Sequence, residues 1–229
     1  MEIRKVWCFY EQSGTFKNVF KKEFGVDAYD LDILNDYGET DYVIDLFNET
    51  EKAYNNEPSI FDEITEDDLI VAFFPCTHFS HQNELIYSRK GYNFRTWSKE
   101  QVDNYIAERE RERTYFFSVL NKFVDVVEKR KIKMLFENPY GRGRNWLLQQ
   151  KRFEEPSLII HNRRDYCDYY IKPTMFYFYN FKPSIFPKKV MKYTYHELMI
   201  QSEQSTRERS LMSKEFAYNF INQYILGIR

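Results

Sequence analysis

The stretch Asp68-Leu69-Ile70-Val71-Ala72-Phe73 runs directly into Phe74-Pro75-Cys76-Thr77, and a second apolar run, Ile132-Lys133-Met134-Leu135-Phe136, ends at Glu137-Asn138-Pro139. Short apolar runs bounded by proline are typical of strands buried in a parallel sheet. In an open α/β sheet, ligands bind in the crevice beyond the carboxyl ends of the strands. The sequence therefore predicts that the Cys76 thiol and the Glu137 carboxyl lie on the rim of one site.

The N-terminal part of the chain predicts three more strands of the same sheet. The first is Val6-Trp7-Cys8-Phe9-Tyr10, and a turn at Ser13-Gly14-Thr15 joins it to a helix that ends at Gly25. A second strand is expected to end at Asp32 and a third at Asp45. Both acids then lie at the same edge of the sheet as Cys76.

The C-terminal part predicts a long helix, an antiparallel hairpin and a last helix. The pair Ser98 and Gln101 has the spacing of a capping box. The aromatic segments Tyr169-Tyr170-Ile171 and Met175-Phe176-Tyr177-Phe178-Tyr179 predict the hairpin, and Lys214 to Leu226 predicts the last helix. Together, residues 1–229 predict one α/β domain, with a doubly wound, mostly parallel, Rossmann-like sheet and an antiparallel hairpin at one edge.

A run of alternating charges, Glu108-Arg109-Glu110-Arg111-Glu112-Arg113, lies within the predicted long helix. Such a run usually forms a solvated helix face, and a partner surface is the alternative. We therefore expect this run to face water.

Composition limits the classes of function. The 229 residues carry a net charge of -2, so any nucleic-acid contact must come from local basic patches. Three widely spaced cysteines favour a reducing compartment over a disulfide framework. We expect a cytoplasmic protein with no membrane span and no metal, although His78 and His81 lie close to Cys76.

The predicted turn at Gly14 and the acids near it are suited to a nucleoside ligand. A strand, a glycine turn and a helix allow a ligand to approach the backbone closely. Asp32 can accept hydrogen bonds from ribose hydroxyls, Asp45 from an adenine amino group, and Glu11 can meet a cationic amino group. The glycine-rich pyrophosphate fingerprint is missing, which favours S-adenosylmethionine over a dinucleotide. The alternative is that these acids cap helices or face water.

The pairing of Cys76 with Glu137 suits chemistry on a pyrimidine ring. Carbon-5 of cytosine is a poor nucleophile until a thiolate adds to carbon-6 and turns the ring into an enamine. A carboxyl group hydrogen-bonded to nitrogen-3 stabilises the charge that develops during this addition. Cys76 and Glu137 match these two roles. The alternative for Cys76 is a small buried hydrophobic residue, as free cysteines usually are.

On these motifs the chain resembles the cytosine carbon-5 DNA methyltransferase family. Pro75-Cys76 is similar to the family's nucleophile loop, Glu137-Asn138 to its Glu-Asn motif, and Ser13-Gly14-Thr15 to its first glycine motif. Glu11, Lys172 and Thr174 extend the resemblance to a compact group of methylase-like proteins common in phages and prophages.

The resemblance implies an S-adenosylmethionine-dependent methyltransferase sheet that acts on nucleic acid, most simply DNA. It assigns Cys76, Glu137 and Asn138 to catalysis. The cofactor-binding residues that it implies share the sheet edge near the first turn: Glu11, Ser13, Gly14, Thr15, Asp32, Asp45 and Pro75.

The chain departs from the family at several positions. Thr77 replaces the glutamine that usually follows the nucleophile, and the first turn lacks a second glycine. Arg163, Arg164 or Lys172 would substitute for the family's base-contacting arginine motif, and Thr77 would join them at the substrate. About ninety residues follow Tyr140, too few for a large target-recognition domain, so low or borrowed sequence specificity is expected.

A phosphate track is one interpretation of the basic residues near the C-terminal strands. Scattered surface charge is the other. The residues concerned are Arg142, Arg144, Arg152, Arg163, Arg164, Lys188, Lys189 and Lys192.

Three other functions remain open at this point. A thymidylate-type enzyme uses the same thiol addition, but the chain has no evident folate site. An amino methyltransferase is suggested by Asn138-Pro139-Tyr140, which lacks one proline of that class's signature and follows the fifth strand instead of the fourth. The third is a catalytically degenerate methylase fold that acts as a binding or counter-defence protein.

Overall fold

The computed structural model describes residues 2–80, 83–141, 145–184 and 211–227. Its strands are β1 (Lys5–Phe9), β2 (Asp27–Asp32), β3 (Tyr42–Val43), β4 (Leu69–Ala72), β5 (Lys133–Pro139), β6 (Leu158–Ile160) and β7 (Thr174–Tyr179). Its α-helices are α1 (Thr15–Phe24), α2 (Leu46–Tyr54), α3 (Glu84–Tyr87), α4 (Lys99–Lys129) and α5 (Lys214–Phe220), and α5 continues as a π-helix over Ile221–Leu226.

The strands form one seven-stranded sheet in the order β3-β2-β1-β4-β5-β7-β6. Neighbouring strands from β3 to β5 are parallel, whereas β7 runs antiparallel to both β5 and β6. This confirms the predicted α/β class and the mostly parallel sheet with antiparallel pairing at one edge. The arrangement is compatible with a Rossmann-like fold.

The predicted hairpin is only half correct. Residues 174–179 form β7 as expected, but 169–171 are not a strand, and β6 at Leu158–Ile160 pairs with β7 instead. Pro173 has no backbone N–H to donate to a ladder. Asp168, just before the expected strand, forms an ion pair with Arg163. The segment therefore forms an irregular connection from β6 to β7.

Two hydrophobic cores lie on opposite faces of the sheet, because side chains alternate along each strand. Along β1, Trp7 and Phe9 join the core that α2 and α4 cover, while Val6 and Cys8 join the core of α1 and α5. Many of the chain's aromatic side chains lie in these two cores, where their rings pack against one another in pairs. These cores fix the strand ends from which the candidate site is built.

The helix boundaries follow the local sequence signals. Gly25 ends α1 in the left-handed conformation, with φ of 65°, a region that glycine enters without a steric penalty. Ser98 and Gln101 form the predicted capping box at the start of α4, with the Ser98 side chain accepting from the Gln101 amide.

The charged run on α4 differs from the expected solvated face. Glu108, Glu110 and Arg111 are exposed, but Arg109, Glu112 and Arg113 are half-buried. Arg109 and Arg113 lie against the segments that follow β4 and β5. Residues three and four apart share one helix face, which explains why the run divides into an exposed and a packed half.

Candidate active site

The residues after β4 form a short turn that carries Cys76. The Cys76 carbonyl accepts hydrogen bonds from the amides of Phe79 at 3.0 Å and Ser80 at 3.2 Å. The side chains of Phe74 and Phe79 are buried, and their rings stack with centroids 6.0 Å apart. We call residues 73–80 the Cys76 loop. Cys76 itself is half-buried, in contrast to the fully packed Cys8 and Cys167.

β5 brings Glu137 and Asn138 beside this loop. Phe136 pairs with Ala72, the last residue of β4, so Glu137 is the first position beyond the paired part of that strand. The Glu137 side chain is largely buried and Asn138 is fully buried. The Asn138 amide donates to the Phe74 carbonyl at 3.3 Å. In the described part of the chain its Oδ1 has no hydrogen-bond partner. Asn138 therefore holds the Cys76 loop from the β5 side.

The carboxyl of Glu137 lies close enough to Cys76 to affect the ionisation of its thiol. Burial raises the pKa of Cys76, and the negative charge of Glu137 raises it further, while Lys172 opposes both effects. Burial also raises the pKa of Glu137, against the lowering effect of the Lys172 and Arg163 cations. Both pKa values are therefore shifted upward, mainly because both groups are removed from water.

Lys172 is the third member of this cluster. It lies two residues before Thr174, which pairs with Pro139 at the end of β5. Burial lowers the pKa of Lys172, and Arg163 lowers it further, whereas the charges of Glu137 and Cys76 raise it. The structure thus brings together three of the residues predicted from sequence: the thiol, the acid and one candidate base-contacting cation.

Arg163 is fully buried behind this cluster. Its guanidinium pairs with Asp168 and donates to the Leu211 carbonyl at 3.2 Å. Its Cζ atom lies 5.1 Å from the centre of the Phe216 ring. Its Nη1 has no hydrogen-bond partner among the described residues. Arg163 is therefore fixed in place, and its charge acts on Glu137 and Lys172 from behind.

The other predicted substrate residues are placed differently. Thr77 is exposed, and its backbone carbonyl, not its hydroxyl, makes the contacts that fix it. Arg164 is half-buried, and its amide donates to the Asn162 side chain at 3.1 Å. Pro75 is half-buried in the Cys76 loop. The contacts made at these three positions do not decide whether they belong to the predicted site.

The turn between β1 and α1 is built around Gly14. Its φ of 72° lies in the left-handed region, and a Cβ here would lie 2.6 Å from Asn18 Nδ2 and 2.7 Å from Glu39 Oε2. Only glycine fits this position without strain. Gly14 has no side chain to cap α1, and the Thr15 amide, the first of the helix, donates instead to the Ser13 hydroxyl at 3.3 Å.

Glu11 lies just before this turn. Its carboxylate accepts hydrogen bonds from the Ser13 amide at 2.8 Å and from the Ser13 hydroxyl. The Ser13 hydroxyl also lies 2.8 Å from Thr15 Oγ1. Burial raises the pKa of Glu11, and the Ser13 hydrogen bonds partly offset this. Four of the predicted cofactor residues therefore form one connected turn.

Asp32 and Asp45 lie at the ends of β2 and β3 as predicted, but both already accept backbone hydrogen bonds. Asp32 Oδ1 accepts from the Leu34 amide at 2.8 Å, and burial raises the pKa of Asp32. Asp45 caps α2, with its Oδ1 accepting from the amides of Phe47 at 2.9 Å and Asn48 at 3.2 Å. The helix-capping alternative is therefore realised at Asp45.

Sequence reasoning missed a buried acid beneath the Gly14 turn. Asp30 is fully buried on β2, and neither carboxyl oxygen has a hydrogen-bond partner among the described residues. The Lys17 ammonium lies 4.0 Å from Asp30 but nearer to Asp41, at 3.1 Å. Burial, reinforced by Glu11, raises the pKa of Asp30 to about 8. Its only sequence signal is an acid inside an otherwise alternating strand.

The proposed phosphate track finds little support in the positions that are described. Arg152 forms ion pairs with Asp125 and Glu128, both at 2.7 Å, and Arg163 pairs with Asp168. Arg164 is half-buried, as described above. The other positions of the predicted track lie outside the described residues: Arg142, Arg144, Lys188, Lys189 and Lys192.

Comparison with protein-family models finds no family that matches the chain, and a comparison with curated proteins finds no match either. The function must therefore be argued from the site itself.

Within the described ranges, no helix combines the length and the apolar character needed to cross a bilayer. Across the same residues, no group of three or more histidine, cysteine, aspartate or glutamate side chains is arranged to hold a metal ion. His81 lies outside the described residues. His78 is buried, with its ring centroid 4.3 Å from that of Phe116.

Proposed function

We propose that the chain is an S-adenosylmethionine-dependent methyltransferase that acts on carbon-5 of cytosine through a covalent bond to Cys76. One observation carries the proposal: the segments at the ends of the adjacent parallel strands β4 and β5 bring Cys76 and Glu137 close enough for the Glu137 charge to raise the pKa of the Cys76 thiol. A strand, a glycine turn and a helix at β1 and α1 lie next to them in the same sheet.

The ionisation of the two groups suits the proposed reaction. The Cys76 sulfur adds to carbon-6 after the thiol loses its proton, and Glu137 supplies a proton to nitrogen-3 of the ring. A raised Glu137 pKa lets the carboxyl keep that proton to a higher pH than an ordinary glutamate does. A raised Cys76 pKa means that the thiolate must form during the reaction, next to the cation of Lys172.

The remaining steps follow from the enamine that this addition creates. A bound sulfonium donor would supply the methyl group that carbon-5 takes. Loss of the carbon-5 proton to water then expels the Cys76 sulfur as a thiolate, and nitrogen-3 returns its proton to Glu137, which restores the ring and the acid. The thiolate regains a proton from water. The role left to the chain is to hold the ring between Cys76 and Glu137.

The residues near Gly14 fit a methyl donor with an amino-acid tail and a nucleoside. Glu11 offers a carboxylate to an ammonium, and the α1 N-terminus, whose Gly14 has no side chain to cap it, lies beside that carboxylate. The Gly14 turn keeps the backbone there free of a Cβ, because Asn18 and Glu39 occupy the space that a Cβ would need. Asp32 is half-buried at the neighbouring strand end.

DNA is the proposed substrate class, as the resemblance of the motifs implies. A base inside a duplex must be flipped out, which costs a few kcal/mol, and is least costly for a base that is already unpaired. A chain with net charge -2 offers little general attraction to a phosphate backbone. We therefore expect single-stranded or mispaired cytosine to be a better substrate than an intact duplex.

One contact bears on the amino methyltransferase alternative. The Asn138 side chain is fully buried, and its amide nitrogen donates to the Phe74 carbonyl. This contact gives Asn138 a supporting role for the Cys76 loop, while its Oδ1 has no hydrogen-bond partner among the described residues and is left to accept from an amino group.

Covalent trapping tests the proposed function. An oligonucleotide with 5-fluorocytosine should form a stable adduct with the protein in the presence of S-adenosylmethionine, because fluorine at carbon-5 prevents the final elimination. Mass spectrometry of peptides should locate the adduct at Cys76. Tritium transfer from the labelled donor to a panel of single-stranded and duplex oligonucleotides then defines the substrate.

Cys76→Ser is the matched variant. It should lower methyl transfer by about 10⁴-fold or more and abolish trapping, while leaving the affinity for the donor nearly unchanged. Donor binding by the wild-type chain without any adduct would instead favour the binding-protein alternative. Loss of donor binding together with activity in Cys76→Ser would mean that the substitution acts through folding.

A further inference from the structure

The backbone on the far side of Cys76 is held by two side chains that the proposed mechanism does not use. The Thr77 carbonyl accepts from Asn83 Nδ2 at 2.7 Å and from Arg109 Nη2 at 3.4 Å. The same Arg109 nitrogen lies 3.2 Å from Asn83 Oδ1, to which it also donates. Asn83 Nδ2 is shared with the Ser80 carbonyl at 3.2 Å. Thr77, Asn83 and Arg109 thus form a closed ring of hydrogen bonds.

Arg109 is itself fixed in place. Its Nη1 donates to Glu112 at 3.1 Å, and its backbone carbonyl accepts from the Tyr87 hydroxyl at 3.3 Å. Its side chain is 16% exposed, while its partner Asn83 is 4% exposed. A surface ion pair alone does not require such burial. The contact with the Thr77 carbonyl accounts for it.

The next turn of α4 reinforces the same region. The Arg113 guanidinium lies between two aromatic rings, 4.3 Å from the centre of Tyr87 and 4.1 Å from that of Trp146. The Trp146 amide donates to the Phe79 carbonyl at 3.0 Å. α4 therefore contacts the segment after β4 and the segment after β5 through one packed face.

We propose that Arg109 is a positioning residue for Cys76, acting through the Thr77 carbonyl. Cys76 lies between Phe74, whose carbonyl Asn138 holds, and Thr77, whose carbonyl Arg109 and Asn83 hold. Hydrogen bonds from a charged donor are stronger than neutral ones. Loss of Arg109 leaves Asn83 as the remaining side-chain donor to Thr77 among the described residues, so the loop is loosened and not released.

The effect of Arg109 on the thiol is expected to be geometric. The charges that shift the pKa of Cys76 are those of Glu137 and Lys172. Removing Arg109 should therefore act through exposure of the thiol, which becomes easier to reach and whose titration midpoint falls as its burial decreases. A displacement of about 1 Å at a reacting group can cost about 10²-fold in rate.

Alkylation of the native protein by iodoacetamide tests the inference without any methyl transfer. R109Q is compared with wild type and with R111Q, which removes an exposed arginine from the same helix. Peptide mapping follows the three cysteines separately. Cys8 and Cys167 are buried and serve as internal reporters of global unfolding.

We expect Cys76 in R109Q to react about tenfold faster at the high-pH plateau, with a midpoint that falls as the thiol loses burial, because a loosened loop exposes a half-buried thiol. Cys8 and Cys167 should stay protected, and R111Q should match wild type at all three cysteines. An unchanged Cys76 rate in R109Q would overturn the inference. A parallel rise at Cys8 and Cys167 would also overturn it, because Arg109 would then act on the fold as a whole.

Trapping by 5-fluorocytosine extends the test and rests on the proposed function. In R109Q the rate of adduct formation should fall by about 10²-fold, while donor affinity is retained. Faster alkylation combined with slower trapping is a signature that simple destabilisation does not produce. Faster alkylation in R109Q with no adduct in wild type would support the positioning role and overturn the methyltransferase proposal.

Discussion

The two halves of the candidate site are held in different ways. At the ends of β4 and β5, the Cys76 loop is fixed from both sides by buried side chains that donate to its backbone carbonyls. At the ends of β2 and β3, the acids Asp32 and Asp45 themselves accept from backbone amides. The Cys76 loop is thus held by residues outside the loop. At the ends of β2 and β3, by contrast, the candidate cofactor-binding acids themselves stabilise the local backbone.

This contrast separates residues that are placed for chemistry from residues that serve two purposes. Among the described residues, neither the Cys76 sulfur nor the Glu137 carboxyl caps a helix or a turn, and burial raises the pKa of each. Perturbed ionisable groups without a structural task are candidates for function. Substitutions in the two halves should therefore have different consequences for activity and for stability.

Glu137→Gln should produce the largest effect among the tests of this contrast. It removes the proton donor and should lower trapping and methyl transfer by about 10²- to 10³-fold, with little loss of stability. Because Glu137 raises the pKa of Cys76, the alkylation midpoint of the thiol should fall in the variant. The wild-type rate should decline as pH rises through the raised Glu137 pKa, and the variant should lose that decline.

Glu110→Gln, at an exposed position on α4, is the control for Glu137→Gln. Single-turnover rates across pH compare the three proteins. A wild-type rate and pH profile in Glu137→Gln would remove the carboxyl from the mechanism.

Asp30→Asn tests the buried acid below the cofactor half. Its pKa is raised from 3.8 to about 8, so the stability that protonated Asp30 contributes is full below pH 3.8 and is lost as pH rises to about 8. The loss approaches at most about 1.4 kcal/mol per pH unit in this window. Asparagine removes the titration, so the variant should gain stability relative to wild type between pH 5 and pH 8.

Urea unfolding at several pH values measures this gain, and Asp27→Asn, exposed on the same strand, is the control. A constant difference between Asp30→Asn and wild type over the window would show that Asp30 is ionised in the fold, paired with Lys17.

Gly14→Ala, compared with Gly25→Ala, separates backbone strain from the space needed by a ligand. Both glycines have a left-handed φ, 72° and 65°, but a Cβ meets atoms below 3 Å only at Gly14 and nothing within 4 Å at Gly25. Each variant should lose about 1–2 kcal/mol to strain. Donor affinity, measured by calorimetry, should fall about tenfold or more in Gly14→Ala alone. Equal affinity in the two variants would mean that no ligand approaches Gly14.

Asp45 offers the smallest and most discriminating change. Asparagine is as good a helix cap as aspartate, whereas alanine costs about 1 kcal/mol. Asp45→Asn should therefore keep the melting temperature, and Asp45→Ala should lower it. If Asp45 also accepts from the donor's adenine, both variants lose donor affinity. Unchanged affinity in Asp45→Asn would make the residue a helix cap alone.

Much of the fold follows from patterns within the sequence. The apolar runs before Pro75 and Glu137 became β4 and β5, and the capping box at Ser98 began α4, because these signals are local. The prediction of a strand at 169–171 was wrong. The strand propensity of tyrosine was outweighed by Pro173 and by the pairing of Asp168 with Arg163. A long-range ion pair or a missing backbone N–H leaves no periodic pattern in the sequence, so neither could be predicted from periodicity.

The site shows the same division. The convergence of Cys76 and Glu137 follows from their positions at strand ends, which a parallel sheet brings to one edge. The contact of Arg109 with Thr77 joins residues 32 positions apart across a helix face. A charged run in the sequence gives no sign of which arginines pack inward, because the partner surface forms only in the folded chain.

The position of β7 between β5 and β6 has a consequence for the order of folding. β6 precedes β7 in the chain, yet among the described strands it is hydrogen-bonded to β7 alone. On a ribosome, β6 therefore emerges without a partner, and the strand carrying Glu137 keeps one open edge until residues 174–179 have been made. The strand that carries Glu137 acquires its second neighbour late, so the C-terminal third of the protein completes a candidate site whose main residues were synthesised long before it.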